Sequence, residues 1–513
     1  MATGSQDEVV AFLTSNAAFG GRPETPRLIE THISLVILSG PHAIKLKRAV
    51  RLGYVDFSTP ELRLAACERE LELNCRTAPE LYKAVHRITR QTDGGLTLNG
   101  DGTLVDAIVD MVRVDEGGLL DRLAVQGGLT KPMLTRLAGR IAAFHAVAEI
   151  DPSRDGSGRM AAVLDINERA FATTDVFQAK QVATLASAFR TRLAALAGLL
   201  DERARAGKVR RCHGDLHLRN ICLIDGEPTL FDCLEFDEGM ATTDILYDVA
   251  FLLMDLWHRD LRTEANLVFN RYLDACDEED GLPLISFLMA VRAAVRAHVS
   301  ATQTQAKDAE PARREEAISY FELAQGLLRS QPAQLVAVGG LSGSGKSTVA
   351  AALAPAIGPA PGARILASDR IRKHLFRVAA ETRLPADAYR PDISERVYAE
   401  LAGRAARITG LGHAVVADAV FDRPEERERI ESAAISAGVP FQGLWLDADP
   451  GRLFRRVAAR TGDVSDATPD VLAGQLAHCL GTINWTRVKA DTDAPAVCRS
   501  ALEAIGASLG QGQ

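Results

Sequence analysis

Two sets of residues in this sequence have the types and spacing that handling a phosphate group demands. The first is Gly340-Leu341-Ser342-Gly343-Ser344-Gly345-Lys346-Ser347, with Thr348 next, which fits the pattern G-x-x-x-x-G-K-[ST]. Glycines at these positions let backbone N–H groups turn inward around phosphate oxygens, and a helix starting behind them adds partial positive charge. Lys346 can then bridge the outer phosphates, and the Ser347 hydroxyl can ligate Mg²⁺. The second set is His213-Gly214-Asp215-Leu216-His217-Leu218-Arg219-Asn220, followed by Asp232 in LFDCLEFD. Here Asp215 is placed to take a proton from an acceptor hydroxyl, while Asn220 and Asp232 are placed to share one metal ion.

Further charged residues extend each set. Lys45 and Lys47 are two apart in AIKLK and so share one face of a strand, with Ile44 and Leu46 on the other. One of them, Lys45 by our reading, should reach the nucleotide phosphates and pair with an acid of the next helix, where Glu68, Glu70 and Glu72 compete. In the C-terminal half, ARILASD and HAVVAD read as strands ending in Asp369 and Asp418. At the carboxyl end of a strand a carboxylate faces the ligand crevice of an open α/β sheet. Asp369 is then a candidate proton acceptor and Asp418 a candidate for the metal's water shell, with a helix cap or loop acid as the plain alternative for each. Arg452, Arg456 and Arg460 recur every four residues, so Arg456 and Arg460 are candidates to close over ATP phosphates, against the alternative of a solvated basic face.

The elements that must position these groups can be read from the pattern. THISLVIL and AIKLK, parted by Ser39-Gly40-Pro41, read as a hairpin, and residues 60–78 as a helix opened by Ser58-Thr59-Pro60. The first ~110 residues are thus strand-rich around one helix. From about 130 to 325 the pattern is helical, interrupted by two short strands flanking the turn Asp225-Gly226. After Pro332 the pattern alternates strand and helix to the end, which argues for a parallel sheet with crossover helices. Two domains follow, 1–330 and 331–513, the first with an N-lobe to about 110 and a C-lobe over 111–330.

The second set resembles the aminoglycoside phosphotransferase and choline-kinase families, in which a Gly such as Gly214 stands where the protein-kinase pattern H-R-D-L-x-x-x-N has Arg. Cys233-Leu234 replaces the Phe-Gly of D-F-G, a departure shared by the small-molecule kinases of that group. The same resemblance, through Glu70 to Asn74 (E-L-x-L-N), selects Glu70 as the partner of Lys45. It also implies that DAIVDMVRV is the hinge that pairs adenine; Phe144-His145 reads as a pair packed in the core. A clear G-x-G-x-x-G loop is missing, and Gly20-Gly21 is a weak substitute. GLSGSGKST, the stretch from Ser368-Asp369 to Lys373, VVADAVFDRPEER and RVAARTGDVSDA are similar to the small P-loop kinases of the zeta-toxin, gluconate-kinase and polynucleotide-kinase kind. The whole chain resembles bacterial bifunctional proteins that join these two domains. The implied fold is an α+β bilobal protein-kinase-like domain followed by an α/β P-loop domain with a mostly parallel sheet. The implied cofactors are ATP and Mg²⁺, and the implied partners are small hydroxyl-bearing acceptors.

Composition narrows the class. Of the 513 residues 47% are apolar, enough for more than one core, and the net charge of -8 argues against a general binder of nucleic acid or anionic membrane. No basic-then-apolar leader pattern is visible, and the eight scattered cysteines, with no Cys-x-x-Cys pair, read as reduced thiols of a cytoplasmic protein. Asp237, Glu238, Asp244 and Asp248 make the region after Asp232 acidic, which would suit a cationic or polyol acceptor; for Asp248 helix capping is the equal alternative. Arg292 and Arg296 share a helix face and read as solvated, with anion binding as the alternative. Three functions stay in play. The first is two working kinases, and the second is one kinase regulated by ATP in the other half. In the third, the P-loop half acts on nucleic-acid ends or nucleotide sugars, with Arg370, Arg372, Lys373 and Arg377 as a phosphate track.

Overall fold

The computed structural model describes residues 6–15, 26–31, 33–52, 55–304, 311–459 and 465–509. They form two compact units, Met1–Asp175 with Val182–Asp255, and Val176–Gln181 with Leu256–Gln513.

The first unit is built on an antiparallel sheet. Its strands in chain order are β1 (Arg27–Glu30), β2 (Ser34–Ser39), β3 (His42–Lys47), the small pair β4 (Arg51–Leu52) and β5 (Val55–Asp56), then β6 (Tyr82–Arg90), β7 (Leu96–Leu98) and β8 (Thr103–Val112). The six-stranded order is β1-β2-β3-β8-β6-β7. The β2–β3 hairpin turns at Gly40, whose φ of 53° is left-handed, and pairs Ser34 with Lys47 through Ser39 with His42. Side chains alternate across the sheet. Ile44, Leu46 and Ile108 pack with Val9 and Leu13 of helix Asp7–Thr14 on one face. Ala107 and Val109 pack with Cys67 of helix Pro60–Asn74 on the other. That second helix is the expected one, capped by the Thr59 side chain on Leu62 N and started at Pro60. The first was not expected, because an eight-residue stretch with one apolar i, i+4 pair carries little periodic signal.

Behind the sheet, β9 (Val209–Arg211) pairs with β12 (Thr242–Asp244), and β10 (Ile221–Ile224) forms a hairpin with β11 (Glu227–Leu230). The hairpin turn is Asp225-Gly226, with φ of 49° and 80°, the left-handed pair that a two-residue turn matching strand twist needs. The long helices Lys131–Val147, Gly156–Phe171 and Ala179–Arg205 complete the helical region anticipated there.

The second unit holds five parallel strands in the order β14-β15-β13-β16-β17, namely β13 (Leu335–Gly339), β14 (Arg364–Ala367), β15 (Val415–Asp418), β16 (Phe441–Asp447) and β17 (Thr486–Lys489). Every residue of β13 is buried, as a strand covered on both faces requires. β14 is an edge strand, and helix Arg262–Ala275 covers that edge. The Asn266 amide donates to Pro361 O at 3.0 Å and Ala363 O at 3.1 Å, and Asn270 Oδ1 accepts from Ile365 N at 2.7 Å. Arg364 is buried between Asp274 (2.7 Å) and Glu279 (3.1 Å). Unpaired edge groups are otherwise open to other chains, and side-chain amides close them here. Among the described residues one helical stretch, Glu279–Gln303, is long and apolar enough to cross a membrane, and most of it is buried inside this unit. Arg292, read as solvated, is buried in it, and Arg296 lies 5.5 Å from the Tyr320 ring centre.

Candidate active sites

In the first unit the strand β3 and the helix Pro60–Asn74 meet through charge. Arg63, Cys67, Glu70 and Asn74 are buried along one helical stripe, and the three polar members each find a partner. Arg63 binds Asp106, with Nε to Oδ1 at 2.6 Å. Lys45 Nζ lies 2.7 Å from Glu70 Oε1 and 2.6 Å from Asp232 Oδ1. Lys47 Nζ lies 2.5 Å from Glu70 Oε2 and also pairs with Glu235. The choice between the two lysines is therefore not exclusive, since both end on Glu70. Glu68 and Glu72 take no part in this cluster; Glu72 pairs instead with Arg69 at 2.8 Å. Burial opposes charge on Glu70, yet the two ammonium groups outweigh it and hold the carboxyl down at about 2. Burial likewise opposes charge on Lys45, and Asp232, Glu70 and Glu235 raise its pKa well above the usual lysine value.

The loop Cys212–Asn220 is fixed by hydrogen bonds from behind. Both carboxylate oxygens of the fully buried Asp248 accept backbone N–H bonds, from His213 at 3.2 Å and Gly214 at 2.9 Å, and His145 Nε2 lies 3.1 Å from Oδ2. Asp255 accepts from Leu218 N at 3.0 Å. Gly214 has φ of 84°, and a Cβ there would sit 2.9 Å from Leu234 Cβ, so the loop needs glycine at this point. The Asn220 amide nitrogen donates to Asp215 Oδ2 at 2.8 Å and to Asp215 O at 3.0 Å, so the amide oxygen is the atom it could offer a metal. Asn220 O accepts from Phe231 N at 3.0 Å, so the residue before Asp232 is tied to this loop. Asp232 itself has φ of 62°, strained for a non-glycine residue, and its N–H donates to Tyr82 Oη at 3.2 Å. Cys233 N donates to Asn74 Oδ1 at 2.9 Å. The donor set suits a divalent cation in kind: hard oxygen ligands, with the Asp232 side chain 38% exposed at a strained turn while its neighbour Glu70 is fully buried.

Sequence reasoning missed several of these roles. Asp248, read as a cap or an acceptor-facing acid, gives both carboxylate oxygens to the loop. Asp244 is buried against Arg203 at 2.8 Å, and Asp237 caps a short helix on Met240 N. The acidic region after Asp232 is thus largely engaged within the fold. Glu235 was not singled out, although it stands in the quoted LFDCLEFD. His145 is buried as expected of the Phe144-His145 pair, and with Cys212 and Asp248 it forms a cluster whose donor atoms lie within 4.8 Å of one another. The backbone of Ile108–Val112 is paired within the sheet, with β3 and β6, so this part of DAIVDMVRV is engaged in strand pairing. Gly20-Gly21 lies outside the described residues.

In the second unit Gly340, Gly343 and Gly345 follow β13 with φ of 142°, 88° and 94°. A Cβ on Gly340 would sit 2.8 Å from Leu446 O, and one on Gly343 would sit 2.9 Å from Leu453 O. Glycine is required at these two positions by space as well as by conformation. The turn empties into helix Lys346–Leu353, so successive N–H groups surround a concavity of the kind that binds anions. Ser344 Oγ, buried at its rim, has no partner among the described residues. Lys346 Nζ donates to Leu341 O at 3.2 Å, and Ser347 and Thr348 are exposed at the helix start. A phosphate chain and its cation fit this arrangement.

Asp418 closes β15 beside β13 and β14, in register with Val338 and Ala367. Asp369 stands two residues beyond β14, in helix Ser368–Leu375. The two acids thus lie at the carboxyl ends of adjacent strands, where the strand order changes direction around β13. Burial raises the Asp369 carboxyl above its usual range, opposed by Ser465 and Lys346. Arg456 donates to Gly343 O at 3.4 Å and Thr492 O at 3.1 Å, beside the phosphate loop; Arg460 lies outside the described residues. Of the four basic residues considered as a phosphate track, Arg372 and Lys373 are buried and Arg370 pairs with Asp274 at 3.3 Å.

Known proteins align with the same two regions. A family model described as the phosphotransferase enzyme family matches residues 64–285, and one described as an AAA domain matches residues 335–480. An uncharacterized protein of Mycobacterium tuberculosis is 28% identical over 461 residues, spanning 88% of this chain and 89% of that protein. An adenylyl-sulfate kinase of Myxococcus xanthus is 32% identical over 143 residues, 28% of this chain and 69% of that enzyme. Among solved structures, a choline/ethanolamine kinase family protein from Mesorhizobium loti is similar at 13% identity, over 63% of this chain and 95% of that one, with a TM-score of 0.40. The chain thus carries a domain of the phosphotransferase enzyme family over residues 64–285 and a P-loop domain of the AAA type over residues 335–480.

Proposed function

We propose that this chain is an ATP-dependent phosphotransferase with two nucleotide sites, each moving a γ-phosphate to a hydroxyl group of a small molecule. The observation that carries the reading is the position of Lys45 Nζ, 2.7 Å from Glu70 and 2.6 Å from Asp232. A lysine held between a helix acid and the acid of the metal turn is the arrangement that grips the phosphates in kinase-like folds. Asp215, oriented by the Asn220 amide, would take the proton as the acceptor oxygen attacks, and Asp369 would do so in the other half. Mg²⁺, when bound, would screen the phosphate oxygens and favour in-line attack. Asn220 and Asp232 would hold it in the first half, and Ser347 with Asp418 in the second.

A second reading, in which the N-terminal half senses nucleotide and the P-loop half alone transfers phosphate, draws on one observation. A clear G-x-G-x-x-G loop to cover the phosphates is missing from the sequence of the N-terminal half. Turnover separates the two. With MgATP and a panel of hydroxyl compounds, Asp215→Ala should lower one partial activity by about 10²–10⁴-fold and spare the other. Lys346→Ala should do the reverse. If Asp215→Ala left every measured turnover unchanged, the N-terminal half would not be a kinase.

A further inference from the structure

In the second unit three hydrogen-bond donors converge on one carboxylate oxygen. Asp466 Oδ2 receives Lys373 Nζ at 2.7 Å, Tyr389 Oη at 2.5 Å and the backbone N–H of Leu384 at 3.0 Å. The Asp466 side chain is 7% exposed, although Asp466 belongs to no helix or strand and precedes helix Pro469–Ala477. Beside it the Arg372 guanidinium stacks 4.7 Å from the Tyr389 ring centre and donates to Ala388 O at 2.7 Å. Arg372 is 6% exposed, and its Nε–H, shut off from solvent, meets no acceptor among the described residues. A buried, unmatched guanidinium donor is costly unless an acceptor joins it.

Asp369, Arg372 and Lys373 all sit on helix Ser368–Leu375. Positions i, i+3 and i+4 share one helical face, with Cβ atoms roughly 5–6 Å apart. The candidate base and the donors of the anion-binding cluster are therefore neighbours.

We infer that Lys373, Tyr389, Leu384 N–H and Arg372 form the anion subsite of the P-loop half's acceptor site, and that the Asp466 carboxylate occupies it as an internal stand-in. The inference rests on the proposed kinase role of that half and names its acceptor class. The acceptor is a compact hydroxyl compound carrying a carboxylate or phosphate a few bonds from the hydroxyl. Its hydroxyl lies at Asp369 and its anionic oxygen replaces Asp466 Oδ2. Replacing one anion by another keeps the charge around Lys373 balanced, and the displaced Asp466 is the cost that sets the apparent affinity.

Glycolate and inorganic sulfate test this by calorimetry on the full chain, with the phosphate loop first filled by a non-hydrolysable MgATP analogue. Asp466→Asn removes the internal competitor and should bind one or both probes about tenfold or more tighter than the wild type. Preference for glycolate identifies a carboxylate acceptor, and preference for sulfate a tetrahedral one. Adding Lys373→Met should abolish the gain, and adding Tyr389→Phe, a milder change, should reduce it. Retained binding of the ATP analogue shows that each variant is folded. Equal probe affinity in Asp466→Asn and wild type, or a gain undiminished in both double variants, overturns the anion subsite while leaving the kinase reading intact. A wild type whose analogue binding is indifferent to Lys346→Ala overturns both.

Discussion

The two candidate nucleotide sites are built for phosphate in different ways. In the N-terminal site the lysines are already matched: Lys45 and Lys47 share Glu70, and the part-exposed Asp232 and buried Glu235 complete a set of two cations and three anions. In the P-loop site Lys346 donates to a neutral acceptor, Leu341 O, and the cradle is made of backbone held open by left-handed glycines. Phosphate entering the first site would exchange one anion for another at Lys45. Phosphate entering the second meets N–H groups that the chain has already oriented, at little cost of reorganisation. The first site should therefore be sensitive to the loss of single charges, and the second to the addition of single atoms.

The largest expected effect breaks the charge set. Glu70→Gln leaves two buried ammonium groups short of a carboxylate and should destabilise the first unit by about 3 kcal/mol, the scale of a broken buried pair. Denaturant unfolding together with hydrogen exchange in β3 would report it. A loss below about 1 kcal/mol would mean that Asp232 and Glu235 suffice without Glu70.

The next effect sharpens the contrast in the P-loop. Gly343→Ala adds a Cβ 2.9 Å from Leu453 O at φ of 88°, whereas Gly345→Ala, at φ of 94°, meets nothing within 4 Å. Both pay left-handed strain of about 1–2 kcal/mol, but only Gly343→Ala must also move backbone. It should lose nucleotide binding in the P-loop half and lower the melting temperature further than Gly345→Ala does. Equal losses would show that conformation, and not space, governs the cradle.

The smallest effect is one of opposite signs with pH. Glu70 is held at about 2 against 4.5 when unfolded, so its stabilisation is present above about 4.5 and lost as pH falls through 2. Glu426 is pushed up to about 7 by burial and by Asp422. Its contribution is present below about 4.5 and lost as pH rises through 7. Glu426→Gln should therefore be neutral near pH 4 and stabilising by on the order of 1–2 kcal/mol near pH 8. Melting temperatures across that range, flat in the variant but falling in the wild type, would bear this out; parallel curves would contradict it.

What could be read from the sequence follows from this difference. The phosphate loop and the Asp215–Asn220 loop are legible because their chemistry needs neighbouring residues at fixed spacing. The β2–β3 hairpin and the Thr59-Pro60 start of helix Pro60–Asn74 are legible because turns and caps are local. The Lys47–Glu235 pair joins residues 188 apart, and no local pattern marks it. Asp248 stands in the first turn of an apolar helix and so mimics a cap, while both its oxygens serve a loop far back in the chain. Helix Pro60–Asn74 was found through its cap and proline. Its buried stripe of Arg63, Glu70 and Asn74 is polar, and hydrophobic periodicity would have turned that face toward solvent. Helix Arg262–Ala275 gives no sign in sequence that Asn266 and Asn270 close the edge of β14.

The account stands most directly on the number of nucleotide sites. Calorimetric titration of the full chain with MgATP, in wild type, Lys346→Ala and Asp232→Ala, measures it. Two sites in the wild type, with one lost in each variant and the other unchanged, is the predicted result. A single site, lost with Lys346→Ala and indifferent to Asp232→Ala, would contradict it and leave the N-terminal half a kinase fold that binds no nucleotide.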